Sequence, residues 1–348
     1  MSGPLYVPVL PAKPHARQAY RQLSLSVQAA VMPLWNLPPR VGQHPDALAL
    51  GVRKDLWGVR RIHRHHPAWI DAPFADEAQL SVLADVLSTD ADVSPLRPVT
   101  GPDRSATHQA AMLEHARSTG NGLAIRVMMP GEWDDLLDHA VRGLVARVDS
   151  AVEADLLLDL GAVRADRTEA AKESLRALEA LMPLIPWRTA AVLGGGFPAV
   201  TARLVEHGTA VEPRWDWHVW RDLNRSTREF VRGLAYGDYG IESTQGIARG
   251  PSSGHGGPPW GVLCYTTDEA FVLLKVPTGG PDRTDAIRTA AREVLALPGF
   301  RGAGASAGET WLRDCAHGQG PKGTGNAAVW LQAGNVQHMT YVVRSLQP

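Results

Sequence analysis

The sequence predicts an α/β fold, a (β/α)8 barrel of the TIM type with a C-terminal addition rich in hairpin and loop. Short apolar runs alternate along the chain with longer stretches of helical character, which is the pattern of successive βα units. The runs are apolar at consecutive positions, as expected for parallel strands buried on both faces. A chain of 348 residues has the length of such a barrel with additions.

Eight strands and seven intervening helices follow from this alternation, and they fit a closed barrel better than an open sheet. Ala170, Leu175, Leu178 and Leu181 form one helical stripe, and Ser105 can cap the helix that follows it. The predicted strands are residues 5–10, 31–35, 68–71, 96–99, 122–127, 155–160, 189–193 and, near the end of the barrel, 237–242. The predicted helices are residues 15–30, 47–61, 76–87, 105–118, 132–148, 167–184 and 216–234.

The pattern changes after the eighth strand. Residues 241–261 are rich in Gly, Ser and Pro and are expected to form a long loop. A hairpin of residues 262–267 and 271–276, a helix at 283–295, a glycine-rich stretch at 299–308 and a final strand at 335–345 follow. We therefore divide the chain into a barrel, residues 1–243, and a C-terminal segment, residues 244–348, which either completes the barrel or forms a lobe across its mouth.

Composition narrows the classes of function. The 35 basic and 36 acidic residues give a net charge of −1, which argues against nucleic acid as a partner, since binding to duplex DNA relies on an excess of Lys and Arg. Cys264 and Cys315 are too few for a disulfide framework, and two buried reduced thiols are expected. The sequence contains neither a secretory leader nor an apolar run long enough to cross a bilayer, so we expect a cytoplasmic protein without membrane contact.

In a (β/α)8 barrel, functional side chains lie at the carboxyl ends of the strands and in the loops that follow. Basic and acidic side chains that converge at this end can bind a phosphate or carboxylate ligand through Lys13 and Arg126, with the Asp side chains as acid–base groups or metal ligands. Alternatively, these side chains form a set of salt bridges that closes the barrel. Convergence in one pocket favours an enzyme, and scattering or complete mutual pairing argues against one. The residues at these positions are Lys13, Asn36, Asp71, Arg126, Asp159, Asp238 and Tyr239.

Gly194, Gly195 and Gly196 directly follow the seventh strand. A glycine run at this position either brings main-chain N–H groups close to a phosphate or makes a tight turn. His63 and His66 have the spacing of metal ligands, but they precede the third strand and so lie at the amino-terminal face, away from the expected site. No metal site is therefore predicted, and the sequence names no cofactor.

Two further motifs have a structural and a functional interpretation. Residues 304–308 match G-x-S-x-G, but no strand precedes them as a nucleophile elbow requires, so we expect Ser306 to cap the next helix. Trp215, Trp217 and Trp220 are either a stacking platform or an interface anchor, or they pack the helix onto the barrel.

An ordered set of short motifs covers nearly the whole chain and resembles the phage beta-protein family. The family is named for a satellite-phage gene product encoded beside a toxic partner. The motifs are Tyr6-x-Pro8-x-Leu10-x-x-Lys13, Pro33-Leu34-Trp35, Gly122–Arg126, Asp155–Gly161, Phe197-Pro198, Arg214-x-x-Trp217, Gly237–Ile241, Ser306-x-Gly308 and His338-x-Thr340.

The resemblance implies a barrel protein of mobile elements that takes part in phage exclusion and restrains a neighbouring toxin. It also marks His338 as a candidate catalytic residue beside Asp71, Asp159 and Asp238, although a buried, hydrogen-bonded histidine is the alternative. The sequence departs from the family pattern at four places: Asn36 for Glu, Pro14-His15 for Gly-Glu, Glu309 for Asp, and Gln337 for the first of two histidines.

Two hypotheses of function follow. The first is a phage-defence protein that binds or restrains a partner protein, a toxin or effector encoded nearby. The second is a barrel enzyme acting on a phosphorylated or nucleotide-like small molecule, in which Lys13, Arg126 and the glycine run hold the anion and Tyr239 contacts the ligand.

Overall fold

The computed structural model describes residues 3–89, 95–247, 258–321 and 323–347. Eight parallel strands close into a barrel, which confirms the predicted fold class. Each strand pairs in parallel with the next, and the last pairs with both the seventh and the first. The barrel strands are β1 (Tyr6–Pro11), β2 (Leu34–Asn36), β3 (Ala68–Asp71), β4 (Leu96–Thr100), β5 (Leu123–Met128), β6 (Ala154–Ala162), β7 (Thr189–Gly195) and β9 (Leu234–Asp238).

Helices follow the strands around the outside of the barrel. The helix predicted at 15–30 is two helices, because Ser24 caps a new helix through the amide of Val27. The helix predicted at 216–234 ends at Asn224, and a 3-10 turn, Glu229–Gly233, leads into β9. The helices are α1 (Pro14–Arg21), α2 (Leu25–Ala30), α3 (Pro45–Arg60), α4 (Glu77–Thr89), α5 (Ala106–Thr119), α6 (Asp135–Val145), α7 (Ala170–Leu181) and α8 (Trp215–Asn224).

A second sheet unites the loop after β7 with the C-terminal segment. The predicted hairpin is present as β10 (Trp260–Thr266) and β11 (Ala270–Pro277), paired antiparallel. An additional strand, β8 (Thr209–Pro213), lies between β7 and α8 and pairs antiparallel with β11. The division of the chain at residue 243 remains a prediction, and main-chain hydrogen bonds join the two segments through this sheet.

The predicted final strand at 335–345 was wrong. These residues belong to a long helix, α12 (Ala327–Leu346), which Asn326 caps through the amide of Val329. The helix is buried along most of its length because it packs against α1, α11 (Ala307–His317) and β10. It also contacts β1, so the end of the chain supplies an outer helix of the barrel beside α1. Two shorter elements complete the C-terminal segment: α9 (Thr244–Ile247) and the predicted helix α10 (Arg283–Leu295).

Cys264 and Cys315 are buried free thiols, as predicted. Burial raises the pKa of the Cys315 thiol to about 11, so it is a poor nucleophile at neutral pH. Across the described part of the chain, no helix combines the length and apolar character needed to cross a membrane.

Close packing of α11 on α12 gives the first prediction. A Cβ on Gly308 would lie 2.3 Å from the Ala333 carbonyl oxygen, so Gly308→Ala forces the two helices apart. We expect a loss of about 1–3 kcal/mol in the free energy of unfolding, measured by urea denaturation.

Gly143→Ala in α6 is the matched control, since nothing lies within 4 Å of a Cβ at that position. There the substitution should stabilise the protein by about 0.5–1 kcal/mol through helix propensity. Equal effects of the two substitutions would contradict close packing between α11 and α12.

Candidate functional site

The inner face of the barrel is set by the alternation of side chains along each strand. Val7, Leu34, Trp69, Ala124 and Leu157 belong to one buried cluster that fills the interior. Because side chains alternate along a strand, the residue two positions after each of these also points into the barrel, closer to the carboxyl end of the strand. This places Asn36, Asp71, Arg126 and Asp159 together at the top of the barrel core.

Arg126 is the centre of this mouth cluster, which comprises Asn36, Asp71, Arg126, Asp159 and Tyr239. Its Nε and Nη2 donate to Asp159 Oδ2 at 2.8 and 2.6 Å. Its Nη1 donates to Asn36 Oδ1 at 3.1 Å and to Asp71 Oδ2 at 2.7 Å. Nη2 also donates to the Tyr239 hydroxyl at 2.9 Å, and that hydroxyl donates to Asp159 Oδ2 at 2.7 Å. All five N–H bonds of the guanidinium are therefore directed at protein acceptors.

Charge is balanced within the mouth cluster and its neighbour Arg104. Arg104 Nη2 lies 3.3 Å from Asp71 Oδ2, so two arginines face the two buried carboxylates. Burial alone would raise the pKa of Asp71, but Arg104 and Arg126 lower it overall. Burial alone would lower the pKa of Arg126, but Asp159, Tyr239 and Asp71 raise it well above its ordinary value. The cluster thus holds its charges through mutual pairing.

Two atoms of the mouth cluster have no hydrogen-bond partner among the described residues: Asn36 Nδ2 and Asp71 Oδ1. The two residues are register partners on β2 and β3, so a donor and an acceptor lie side by side at the top of the barrel. Mutual pairing is therefore incomplete at this edge. A small polar group that both donates and accepts would satisfy the two atoms.

Asp238 lies outside the mouth cluster. It precedes Tyr239 directly, so the two side chains point to opposite faces of the barrel wall. Asp238 Oδ1 accepts from the Tyr6 hydroxyl at 2.5 Å and from the Gly240 amide at 2.9 Å. Its Oδ2 lies 2.8 Å from His338 Nε2 and 3.0 Å from the Tyr236 hydroxyl. The contact of Asp238 with His338 therefore holds α12 against the barrel. We call the group to which they belong the wall cluster; it comprises Tyr6, Asp216, Tyr236, Asp238 and His338.

Two carboxylates of the wall cluster, Asp216 and Asp238, lie within hydrogen-bond distance of one hydroxyl, that of Tyr236. The Tyr236 hydroxyl lies 2.5 Å from Asp216 Oδ2 but has one proton to donate. Burial and the neighbouring Asp238 raise the pKa of Asp216, whereas His338 and Tyr6 lower that of Asp238 against the effect of burial. The Tyr236 hydroxyl therefore lies between two carboxylates, and either of them can accept its proton.

His338 also lies 2.9 Å, through Nδ1, from the Thr266 hydroxyl. If Nε2 carries the proton toward Asp238, Nδ1 accepts from Thr266, so both ring nitrogens are satisfied by protein groups.

Lys13 lies at the N-cap of α1 and is half-buried, outside the hydrogen bonds of the mouth cluster. The glycine run contacts the rest of the protein through its carbonyls: Gly195 and Gly196 accept from Arg164 Nη1 at 2.8 and 2.9 Å. A Cβ at Gly196 would lie 1.7 Å from Asp216 Oδ1, so glycine is required there for close packing. Phosphate binding by the run remains a prediction.

Several predicted residues have structural roles. The ring centroids of Trp217 and Trp220 lie 5.1 and 5.5 Å from that of Tyr236. This supports the interpretation that these tryptophans pack α8 onto the barrel. Ser306 caps α11 through the amides of Gly308 and Glu309, as predicted. Among the residues described, no group of three His, Cys, Asp or Glu side chains is arranged to hold a metal ion.

Sequence reasoning missed Arg104, Tyr6, Tyr236 and Asp216. Arg104 lies in the loop after β4, where the strand-end rule could have found it. Tyr6 and Asp216 lie within two of the sequence motifs. Tyr6 contacts Asp238 directly and Asp216 is linked to it through Tyr236, and both relations depend on the closed barrel.

The fold and the mouth cluster together define a (β/α)8 barrel whose carboxyl end is closed by a buried arginine–carboxylate network. A family model described as Beta protein matches residues 6–344, and the chain belongs to this family. No curated protein matches the sequence.

The mouth cluster gives the second prediction. Arg126→Met leaves the buried carboxylates of Asp71 and Asp159 without their central cation, and we expect a loss of about 3–5 kcal/mol in unfolding free energy. Arg142→Met is the control, because the exposed pair of Arg142 with Asp138 contributes less than about 1 kcal/mol. Similar losses in the two urea titrations would refute a central role for Arg126.

The third prediction concerns His63, which accepts a hydrogen bond from Trp35 Nε1 at 2.9 Å through Nε2. Burial lowers the pKa of His63 to about 4, below the unfolded value of about 6.5. Neutral His63 therefore contributes its full stability above pH 6.5 and loses it as the pH falls toward 4, by about 2–3 kcal/mol between pH 7 and 4.5.

The pH dependence of urea denaturation should be flatter for His63→Gln than for the wild-type chain. The exposed His207→Gln provides the control and should leave the slope unchanged. An unchanged slope in His63→Gln would assign the pH dependence to other groups.

Proposed function

We propose that this Beta-family protein acts in phage defence by binding and restraining a partner protein, a toxin or effector encoded nearby. The sequence resemblance to proteins of mobile elements supports this proposal, and so does the mouth cluster, whose arginine is committed to protein acceptors. The observation that carries it is an exposed apolar face on α3.

This docking face comprises Leu50, Arg53, Lys54 and Trp57 of α3. Leu50 and Trp57 are two helical turns apart, so they lie on one side of the helix, and they are 70% and 60% exposed. The opposite side of α3 is buried against the barrel and needs no further cover. A large exposed tryptophan beside an exposed leucine is typical of a protein–protein interface, where tryptophan contributes strongly to affinity.

Charge on the docking face indicates the kind of partner. Arg53 and Lys54 are exposed between the two apolar side chains, and the Arg61 guanidinium stacks on the Trp57 ring at 4.6 Å. An apolar patch with a basic rim fits a partner surface that carries an apolar pocket surrounded by Asp and Glu. The partner is therefore a protein with an acidic docking surface.

The alternative is a barrel enzyme for a phosphorylated or nucleotide-like small molecule, and one observation favours it. Asn36 Nδ2 and Asp71 Oδ1 lack partners in the described chain, at the barrel end where such enzymes bind substrate. In this function Lys13 would supply the cation, since an anion at Arg126 would have to displace Asp71, Asp159 or Tyr239. A co-purifying small anion that Lys13→Ala releases would support the enzyme.

The fourth prediction tests the docking face. The product of the adjacent gene is co-expressed with this chain, and the affinity of the purified pair is measured by calorimetry. Trp57→Ala should weaken binding about 30-fold, the effect of removing a central anchor of about 2 kcal/mol. Leu50→Asp should weaken it further.

Two variants serve as controls. Leu136→Ala removes a similarly exposed leucine from α6, and Lys13→Ala changes the N-cap residue of α1; neither should change the affinity. Undiminished binding by Leu50→Asp and Trp57→Ala would rule out the docking face. Absence of any complex would remove the support for a partner-binding protein.

A further inference from the structure

A cavity of 380 Å³ lies at the amino-terminal face of the barrel, the end opposite the mouth. It forms where the carboxyl ends of α1 and α3 meet, because barrel helices run antiparallel to the strands. Its lining is Tyr20, Arg21, Gln28, Arg61, Ile62 and Arg64.

Three arginines line this cavity, and among the residues described its wall contains no carboxylate. Arg21, Arg61 and Arg64 form no hydrogen bond or ion pair with other described side chains, although Arg61 stacks on Trp57. Arg21 in the last turn of α1 and Arg61 at the C-cap of α3 are favourably placed for the negative ends of those helices. Arg64 lies beyond the end of α3, so a favourable interaction with a helix end does not explain why this third arginine also lines the cavity.

Tyr20 also lines the cavity. Tyr20 is buried and its hydroxyl has no partner among the described residues. The ring packs against His63 and Trp35, with ring centroids 4.8 and 6.2 Å away. Burial raises the pKa of Tyr20 to about 12, which keeps the hydroxyl protonated as a donor.

Gln28 fixes the shape of the wall. Its Nε2 donates to the carbonyl oxygens of Tyr20 and Leu23 at 3.3 and 3.0 Å, which ties α2 to the end of α1. Both amide protons are used in these bonds, so Gln28 contributes only an oxygen, which can accept from an arginine or from a phosphate hydroxyl.

We propose that this cavity binds the phosphate group of a phosphorylated small molecule. Arg21, Arg61 and Arg64 offer the forked donors that match phosphate oxygens. Bound phosphate also removes the mutual repulsion of the arginines. The site is separate from the mouth cluster, and the inference does not depend on the proposed partner binding.

Calorimetry with inorganic pyrophosphate as the probe tests this site, at constant ionic strength maintained with NaCl. The wild-type chain should bind one pyrophosphate. Arg21→Gln/Arg64→Gln should weaken binding at least 30-fold, as expected when charge-assisted hydrogen bonds are lost. Arg203→Gln/Arg292→Gln, which removes two arginines elsewhere on the surface, should bind like the wild-type chain.

Three outcomes would overturn the proposal. The first is absence of pyrophosphate binding by the wild-type chain together with a lower Tm for Arg21→Gln/Arg64→Gln. This result would mean that the arginines stabilise the carboxyl ends of the helices. Another is equal affinity in all variants, which would place the anion elsewhere. The third is binding of a phosphoserine peptide without binding of pyrophosphate or phosphate, which would exclude a small-molecule ligand.

Discussion

The structure depends on one buried ionic interaction, the contact of Arg126 with Asp71 and Asp159 at the top of the barrel. Strands β2, β3, β5, β6 and β9 each contribute a residue to this network or lead directly into one. Charges in a dry interior are costly unless all their hydrogen bonds are made, so the network favours the closed barrel over any arrangement in which one strand is displaced. The same pairing leaves Arg126 without a free donor for a ligand, so a binding site for a partner is more readily found on the outer surfaces of the protein.

Most of the fold could be predicted from the sequence, because alternation of apolar runs and helices is a local signal. The strand β8 could not, since Thr209–Pro213 is short, partly exposed and gains its place only by pairing with β11. The end of the chain was misjudged for a related reason. Thr340, Val342 and Val343 have high β propensity, but burial of α12 between α1, α11 and β10 outweighs that propensity.

The candidate site was predicted in part. The strand-end rule identified Asn36, Asp71, Arg126, Asp159 and Tyr239, which converge, because position along a parallel strand can be read from the sequence. The rule does not give the face on which a side chain lies, so Asp238 was assigned to the mouth although it points toward α12. The partners of Asp238 come from distant segments, and no local pattern links them.

The position of α12 has a consequence for synthesis of the chain on the ribosome. The helix covers the seam between the first and last barrel strands, where Tyr6 and Asp238 meet His338. Its residues are synthesised after all eight barrel strands, so the nascent barrel exposes this seam until α12 has left the ribosomal exit tunnel. A premature stop codon shortly before residue 327 would leave a barrel with an uncovered carboxylate and an apolar groove, and such a product is a natural substrate for chaperones and proteases.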